Sequence, residues 1–234
     1  MAFFVVEGNI GVGKSTFLKM AASYLNAQLV FEPHEKWQDV GGQNLLDAFY
    51  KDGSRWAYTF QTYAFITRVL EQENRSKVND KAFQLVERSV YSDRYCFAKN
   101  SFEIGIMNEL EWKLYKEWFA WFVENRIEQP AGFIYLRANP EICYDRLVKR
   151  SRSEESSVKL DYLKLLHNKH EDWLVHKKGI AKSLENRPIL ILDCNESFES
   201  DIELQKKHIN AVRLFLERNF TIPAHKIVLP EVVL

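Results

Sequence analysis

The chain has 234 residues, 46% hydrophobic and 27% charged, so one globular domain over residues 1–234 is expected. Its 32 Lys and Arg residues balance its 32 Asp and Glu residues, so neither a nucleic-acid-binding surface nor a membrane-seeking face is expected. The three cysteines, Cys96, Cys143 and Cys194, have no spacing for zinc or for a disulfide framework. We therefore expect a cytoplasmic protein with reduced thiols, and no targeting peptide because a strand begins at Ala2.

The predicted elements alternate between strands and helices. Short apolar runs predict strands at 2–7, 28–32, 82–87, 132–136 and 188–193. Apolar residues at helical spacing predict a helix after residue 15 and further helices at 43–51, 55–79, 107–127, 139–149, 160–177 and 199–218. Asn139 and Pro140 are typical of an N-cap and a first-turn proline. This order predicts an α/β fold with a five-stranded parallel sheet flanked by helices, and ligands beyond the carboxyl ends of the strands.

A phosphate-binding loop follows the first predicted strand. Residues 8–15 read GNIGVGKS, a full match to the P-loop pattern between a strand and a helix. Backbone N–H groups and the helix dipole would attract phosphate oxygens there. Lys14 is expected to reach the β- and γ-phosphates, and the Ser15 hydroxyl to ligate Mg²⁺. The predicted phosphate-binding residues of the loop are Gly8, Asn9, Gly11, Gly13, Lys14, Ser15 and Thr16.

Carboxylates and an arginine stand at the ends of the next two predicted strands. Glu32 could accept a proton from an acceptor hydroxyl, although a lone glutamate at a strand end is more often solvated or a helix cap. Glu87 suits the outer shell of Mg²⁺, and Arg88 could neutralise a transferring phosphoryl group. A local ion pair between Glu87 and Arg88 is the alternative.

Arginines follow the fourth predicted strand. Arg146 and Arg150 are four residues apart on one helix face, and Arg152 lies in the serine-rich stretch after them. They could close over phosphates as a lid of about residues 150–158, or form a solvated basic turn. The loop that follows Asp193 is a candidate seat for the donor base.

The predicted helix at 55–79 has two faces. Its apolar pattern predicts a buried stripe formed by Trp56, Tyr63, Ile66 and Leu70. A second face carries Gln61, Ala64 and Arg68. An amide, a small residue and a guanidinium could recognise a flat base, or form an ordinary polar surface. Asp93 could pair with Arg68 and fix its donors.

Five segments together resemble the deoxynucleoside kinases of the deoxycytidine/deoxyguanosine kinase type. They are EGNIGVGKST at 7–16, EPHEKW at 32–37, RWAYTFQTYAF at 55–65, ERSVYSDRYCFAKN at 87–100 and LHNKHEDWL at 166–174. The resemblance runs nearly end to end and implies a P-loop kinase fold, ATP or another nucleoside triphosphate as donor, and Mg²⁺. It also implies a homodimer paired through the aromatic helix that contains Trp112, Trp118 and Trp121.

The resemblance further implies residue roles. Glu32 would be the general base for the 5′-hydroxyl, Arg88 would contact Glu32 and the reacting phosphate, and Glu87 would belong to the Mg²⁺ environment. Tyr50 and Asp161 would hold the sugar 3′-hydroxyl, and position 161 has a shorter side chain than the glutamate expected in the family. The residues that would read the base are Gln61, Arg68 and Asp93. Those that would enclose it are Trp37, Leu46, Phe49, Phe60 and Phe97. The lid residues acting on phosphates would be Arg146, Arg150 and Arg152.

The charged pair Arg68–Asp93 predicts a base preference. Family members that favour thymidine usually have apolar residues at these positions, so we expect deoxyguanosine, deoxyadenosine or deoxycytidine to be preferred. Two other functions compete with this interpretation. The DRY sequence at 93–95 resembles an element of thymidylate kinase, a nucleoside monophosphate kinase. The NKHE sequence at 168–171 is similar to a guanine-reading motif of nucleotide-binding switch proteins.

Overall fold

The structure is a computed structural model that describes residues 2–75, 81 and 83–220. Its parallel sheet consists of β1 (Phe3–Gly8), β2 (Ala27–Val30), β3 (Phe83–Glu87), β4 (Gly132–Arg137) and β5 (Ile189–Asp193). The strand order is β2-β3-β1-β4-β5, so β1 is central. The predicted α/β fold with five parallel strands is confirmed. Ala82, at the start of the third predicted strand, lies outside the described residues.

The connections between the strands are largely helical. In chain order, the α-helices of the described residues are α1 (Lys14–Tyr24), α2 (His34–Gln38), α3 (Leu45–Lys51), α4 (Gly53–Arg75), α5 (Val90–Ser92), α6 (Lys99–Glu103), α7 (Glu109–Asn125), α8 (Pro140–Arg150), α9 (Leu160–His170), α10 (Lys182–Glu185) and α11 (Ile202–Asn219). Two π-helical segments, Asp93–Ala98 and Glu171–Val175, and a 3₁₀ turn at Ser153–Glu155 complete them. No helix in the described ranges combines the length and the apolar composition needed to cross a bilayer.

Several helix boundaries differ from the predicted ones. The short helix α2 and the helical run from Val90 to Glu103 were not predicted, because short segments contain too few turns to show a period. Residues 76–79 of the predicted helix at 55–79 lie outside the described residues. Pro140 is the first residue of α8 as predicted, but the side chain of Asn139 does not cap the helix. Its backbone N–H donates to Oδ1 of Asn195 at 2.8 Å instead.

The central strand is buried on both faces. Phe4 and Val6 pack into a core formed with α1, α8, α9 and α11, whereas Phe3 and Val5 face a second core formed mainly with α4, α7 and the residues after β3. Each buried large apolar side chain stabilises the fold by about 1.5–3 kcal/mol. Packing on both sides fixes the carboxyl end of β1, where the phosphate-binding loop begins.

The buried face of α4 is not the predicted apolar stripe. Ile66 and Leu70 are 37% and 47% exposed, and Trp56 and Tyr63 are only half-buried. The amide-bearing face is the inner one, and Gln61 is 1% exposed. The stripe prediction was therefore wrong. Apolar spacing identifies an apolar face but not the element that covers it.

Candidate active site

The phosphate-binding loop lies against α8. Gly11 has φ +79°, and a Cβ atom there would lie 2.2 Å from the carbonyl oxygen of Cys143, so the loop requires glycine at this position. The side chain of Asn9 donates to the carbonyl of Leu163 at 2.9 Å and accepts from its neighbour's backbone N–H. The Asn9 side chain therefore connects the loop to α9.

Lys14 is the first residue of α1 and is buried in the loop. Its Nζ donates to the carbonyl oxygen of Asn9 at 2.9 Å. Burial lowers the pKa of Lys14 to about 7; the nearby Arg88 also lowers it, whereas the carboxylates of Glu87 and Glu32 raise it. A polyphosphate beside this amine would favour its charged form, so anion binding and proton uptake are coupled here.

Ser15 and Glu87 bring oxygen atoms together beside the loop. The Ser15 hydroxyl lies 2.9 and 3.1 Å from the two carboxylate oxygens of Glu87. A hydroxyl and a carboxylate are suitable Mg²⁺ ligands, because that ion takes one or two protein oxygens and fills its octahedron with phosphate and water. Within the described ranges, no cluster of three or more His, Cys, Asp or Glu side chains could hold a metal ion by itself.

One cavity, here called the acceptor cavity, unites the residues that follow β1, β2 and β3. The predicted loop, catalytic and metal-binding residues that line it are Gly11, Lys14, Ser15, Glu32, Glu87 and Arg88. The predicted substrate-binding residues that line it are Trp37, Leu46, Phe49, Tyr50, Phe60, Gln61, Arg68, Asp93 and Phe97. Their convergence depends on the sheet, since parallel strands end at one edge.

An ion-pair network crosses this cavity. Nε of Arg68 donates to both oxygens of Asp93, at 3.0 and 2.8 Å, and its Nη2 contacts Oε1 of Glu32. Nε of Arg88 lies 3.5 Å from Oε2 of Glu32. The side chains of these four residues are at most 7% exposed. Arg68 thus links Asp93, which is predicted to read the base, to Glu32, the predicted general base.

The network determines the charge of each carboxylate. Burial raises the pKa of Glu32, but attraction by Arg68, His34 and Arg88 outweighs burial and holds that pKa well below its usual range. Burial raises the pKa of Asp93 to about 6 in spite of Arg68. Glu32 is therefore ionised at neutral pH and can accept a proton from a hydroxyl group that becomes acidic as its oxygen forms a new bond.

Aromatic rings form the far wall of the acceptor cavity. Phe49 and Phe60 stack with ring centroids 4.8 Å apart, and Trp37 meets Phe60 edge to face at 5.7 Å. Nε1 of Trp37 donates to the hydroxyl of Thr67 at 2.9 Å, which fixes the indole. Nε2 of Gln61 is buried and has no hydrogen-bond partner among the described residues. Buried donors are normally satisfied, so this amide is suited to a ligand.

A second cavity, the donor cavity, lies on the other side of the loop. Its lining includes Gly13, Thr16, Arg150 and the 197–199 segment after β5. Arg146 also lines it and donates to the carbonyls of Cys194, Asn195 and Glu196, at 2.8, 3.1 and 3.1 Å. Arg152 lines neither cavity and lies 3.6 Å from Glu155. A phosphate chain can pass from one cavity to the other, because Gly11 and Arg150 line both.

A comparison with protein families matches residues 4–217 to the family described as "Deoxynucleoside kinase". The chain belongs to the deoxynucleoside kinase family. It is therefore a nucleoside kinase that uses ATP as phosphate donor, and the predicted resemblance is confirmed.

The chain is also similar to curated kinases with different printed substrates. It is 46% identical to a probable deoxycytidine kinase of fowlpox virus (strain NVSL), covering 90% of this chain and 86% of that protein. It is 38% identical to the mitochondrial deoxyguanosine kinase of Xenopus laevis, over 90% and 88%. It is 39% identical to the mitochondrial thymidine kinase 2 of Homo sapiens, over 85% and 73%.

The kinase does not bring Asp161 into the acceptor cavity. Asp161 is exposed near the start of α9, whereas Glu155 and Tyr162 line the cavity together with Tyr50. Glu155 is 4% exposed and accepts from Nη2 of Arg150 at 2.7 and 2.6 Å. Sequence reasoning missed Glu155, because a glutamate in a charged, serine-rich stretch is typical of a solvated turn. Its spacing from Arg150 and Arg152 was the available signal.

Two residues beneath the acceptor cavity have unfavourable environments: Arg88 has a strained backbone, and Glu7 has a buried carboxyl group. Arg88 has φ +58°, a left-handed conformation that costs a non-glycine residue about 1 kcal/mol or more. Glu7, at the end of β1, is fully buried and accepts from the Ser89 hydroxyl at 2.7 Å. Burial raises the pKa of Glu7 to about 7, partly offset by Arg88. Ionised Glu7 is therefore a source of instability near neutral pH.

The substitution Glu7→Gln is expected to flatten the pH dependence of folding stability. Because the folded pKa of about 7 exceeds the ordinary 4.5, the folded protein holds this proton more tightly than the unfolded chain. The stabilisation of the folded protein by this proton is complete below pH 4.5 and is lost as the pH rises through about 7. From pH 5 to pH 8, E7Q should gain roughly 2–3 kcal/mol in unfolding free energy relative to wild type. Urea unfolding at both pH values measures this, with exposed Glu117→Gln as control; an equal difference at both pH values would contradict it.

Proposed function

We propose that this enzyme transfers the γ-phosphoryl group of ATP to the 5′-hydroxyl of a deoxynucleoside bound in the acceptor cavity. The main support for this proposal is the buried carboxylate of Glu32, which Arg68 and Arg88 hold in the same cavity as Lys14. A hydroxyl beside Glu32 would meet the last phosphate of a chain that enters over the loop. The two reactants would be held in one orientation, which is the main source of rate in phosphoryl transfer.

Each group around the reacting atoms has a separate task in this proposal. Glu32 accepts the proton of the 5′-hydroxyl as the new O–P bond forms and the bond between the γ-phosphorus and ADP breaks. Lys14 and Arg88 stabilise negative charge on the transferring group. Arg146 braces the donor cavity through the carbonyls after β5, and Arg150 and Arg152 close over the phosphates as part of a lid at about 150–158.

Ser15 and Glu87 would hold Mg²⁺, Ser15 directly and Glu87 partly through water. When bound, the ion would supply positive charge that stabilises the phosphate groups. The hydrogen bonds between the two side chains support this assignment, since they place the hydroxyl and the carboxylate beside each other next to the loop.

The sugar would be held by Tyr50 and Glu155. Both line the acceptor cavity. Burial raises the pKa of Tyr50, and the nearby Tyr162 and Glu155 raise it further. A phenol and a carboxylate together can donate to and accept from one hydroxyl group. Glu155 thus takes the part that the family resemblance had suggested for Asp161.

The base would be read by Gln61, Arg68 and Asp93. The paired charges present hydrogen-bonding groups to guanine, adenine or cytosine, and they offer no apolar contact for the thymine methyl group. We therefore propose that deoxyguanosine, deoxyadenosine or deoxycytidine is preferred over thymidine. The printed names of the relatives span cytosine, guanine and thymine, so support for this choice comes from the pocket.

The assembly and the compartment are further parts of the proposal. Apolar side chains on the outer side of α7 are exposed, among them Leu110, Trp118 and Trp121 at 67%, 51% and 47%. An aromatic patch of this kind suits pairing with a second copy in a homodimer. The three free, buried cysteines suit the reducing cytoplasm, although two of the relatives named above are mitochondrial. We also propose that residues 1–234 form one kinase domain.

Purified protein with Mg-ATP and each of four deoxynucleosides tests the proposal. The expected result is turnover of one of deoxyguanosine, deoxyadenosine and deoxycytidine with a kcat/KM well above that of thymidine. The matching deoxynucleoside monophosphates serve as comparison acceptors. Turnover of a monophosphate and of no nucleoside would identify a monophosphate kinase instead.

A further inference from the structure

A histidine touches the proposed general base. Nε2 of His34 lies 3.0 Å from Oε2 of Glu32, and the imidazole lines the acceptor cavity. His34 is the first residue of α2, and its backbone N–H donates to the carbonyl oxygen of Glu32 at 2.8 Å. Backbone and side chain therefore both connect the imidazole to the residue two positions before it.

The imidazole is held in place although its side chain is 28% exposed. It meets the ring of Trp37 edge to face, with centroids 5.2 Å apart and an interplanar angle of 75°. Trp37 is 3% exposed and is itself anchored by its hydrogen bond to Thr67. A histidine packed on an anchored indole keeps its Nε2 directed at one carboxylate oxygen.

The two oxygens of Glu32 have different partners. Oε1 is contacted by Nη2 of Arg68, whose Nε donates to Asp93 and whose Nη1 lies 3.5 Å from the carbonyl oxygen of Glu87. Oε2 lies 3.0 Å from His34 and 3.5 Å from Nε of Arg88. A carboxylate held at one oxygen can still turn about its Cγ–Cδ bond. A close donor at the second oxygen fixes the carboxylate plane, and His34 is nearer to it than Arg88.

We propose that His34 is a positioning residue for Glu32, whose Nε2–H donates to Oε2 and fixes the plane in which the carboxylate receives the 5′-hydroxyl proton. The proposal rests on the proposed function, in which Glu32 accepts that proton. No proton passes to His34, which remains a donor throughout the reaction. The effect of His34 is thus transmitted through Glu32 alone.

Attraction by His34 also helps to keep the carboxylate of Glu32 ionised. Burial raises the pKa of Glu32, and Arg68, His34 and Arg88 lower it by more. Without the imidazole, the carboxylate keeps its two arginines but loses the shorter of the two contacts at Oε2.

Three substitutions of His34 test the inference. In His34→Gln, the side-chain amide nitrogen takes the place of Nε2, so kcat should stay within about threefold of wild type. In His34→Leu the donor is absent, and in His34→Asn it is too short to reach Oε2. Both should lower kcat by about 10- to 100-fold, as expected for losing a hydrogen bond to a charged group, with little change in nucleoside KM. His176→Gln is the control, because His176 is exposed and does not line the cavity.

A second comparison separates positioning from a structural role. In a Glu32→Gln background, His34→Leu should produce no further loss of kcat, because the residue through which it acts is already neutral. Thermal unfolding checks that each variant is folded, and the polar Asn variant replaces Leu if the latter is not. Equal losses with Gln and Leu, the same loss in the Glu32→Gln background, or a change in KM alone would overturn the inference. A wild-type enzyme without nucleoside turnover would overturn the proposed function and this inference with it.

Discussion

Replacing Glu32 by Gln is expected to lower kcat for nucleoside phosphorylation by about 10²- to 10⁴-fold, the usual contribution of general-base catalysis. The amide keeps the size of the side chain and an oxygen acceptor for Arg68, but it cannot take a proton. The nucleoside should still bind, because the aromatic wall and Gln61 are unchanged. We therefore expect the dissociation constant of the nucleoside to change by only a few-fold.

Single-turnover kinetics with saturating Mg-ATP measures the chemical step, and isothermal titration calorimetry measures nucleoside binding. Glu35→Gln is a matched control, since Glu35 lies three positions away and is exposed. A Glu32→Gln enzyme with near-native kcat would remove Glu32 from the role of base. Loss of binding equal to the loss of kcat would mean that Glu32 serves only to hold Arg68 and Arg88.

Removing the charged pair by the double substitution Arg68→Leu and Asp93→Ala is expected to abolish discrimination against thymidine. In the wild type, buried donors and acceptors reject a base that cannot satisfy them, and such selectivity is about 10²-fold or more. With apolar residues, the kcat/KM ratio between the best substrate and thymidine should fall close to one. Both residues must change together, because one buried charge left alone costs about 3–5 kcal/mol.

The ratio of substrates is the proper measurement here. Arg68 also contacts Glu32, so its loss should lower kcat for every nucleoside. Arg55→Leu on the outer side of the same helix is the control, because Arg55 is exposed. An unchanged ratio in the double variant would show that the base is selected elsewhere in the cavity, and thymidine as best wild-type substrate would contradict the specificity proposal.

The phosphate-binding loop and the five strands followed from the sequence alone. The glycine pattern of the loop is specific for P-loops when it stands between a strand and a helix, and each buried strand forms a continuous apolar run. Placing Glu32, Glu87 and Arg88 near the loop needed only the rule that parallel strands end at one edge. These features are local or follow from topology, so one chain is enough to predict them.

Packing between distant segments decided the rest. The direction in which α4 presents Gln61 and Arg68 depends on which face is covered, and the covered face contains Phe60 and Phe65 rather than the predicted stripe. The choice of Glu155 over Asp161 depends on how the turn after α8 folds over the acceptor cavity. Side-chain spacing along the chain does not determine such contacts, because burial in a cavity arises only when remote elements meet.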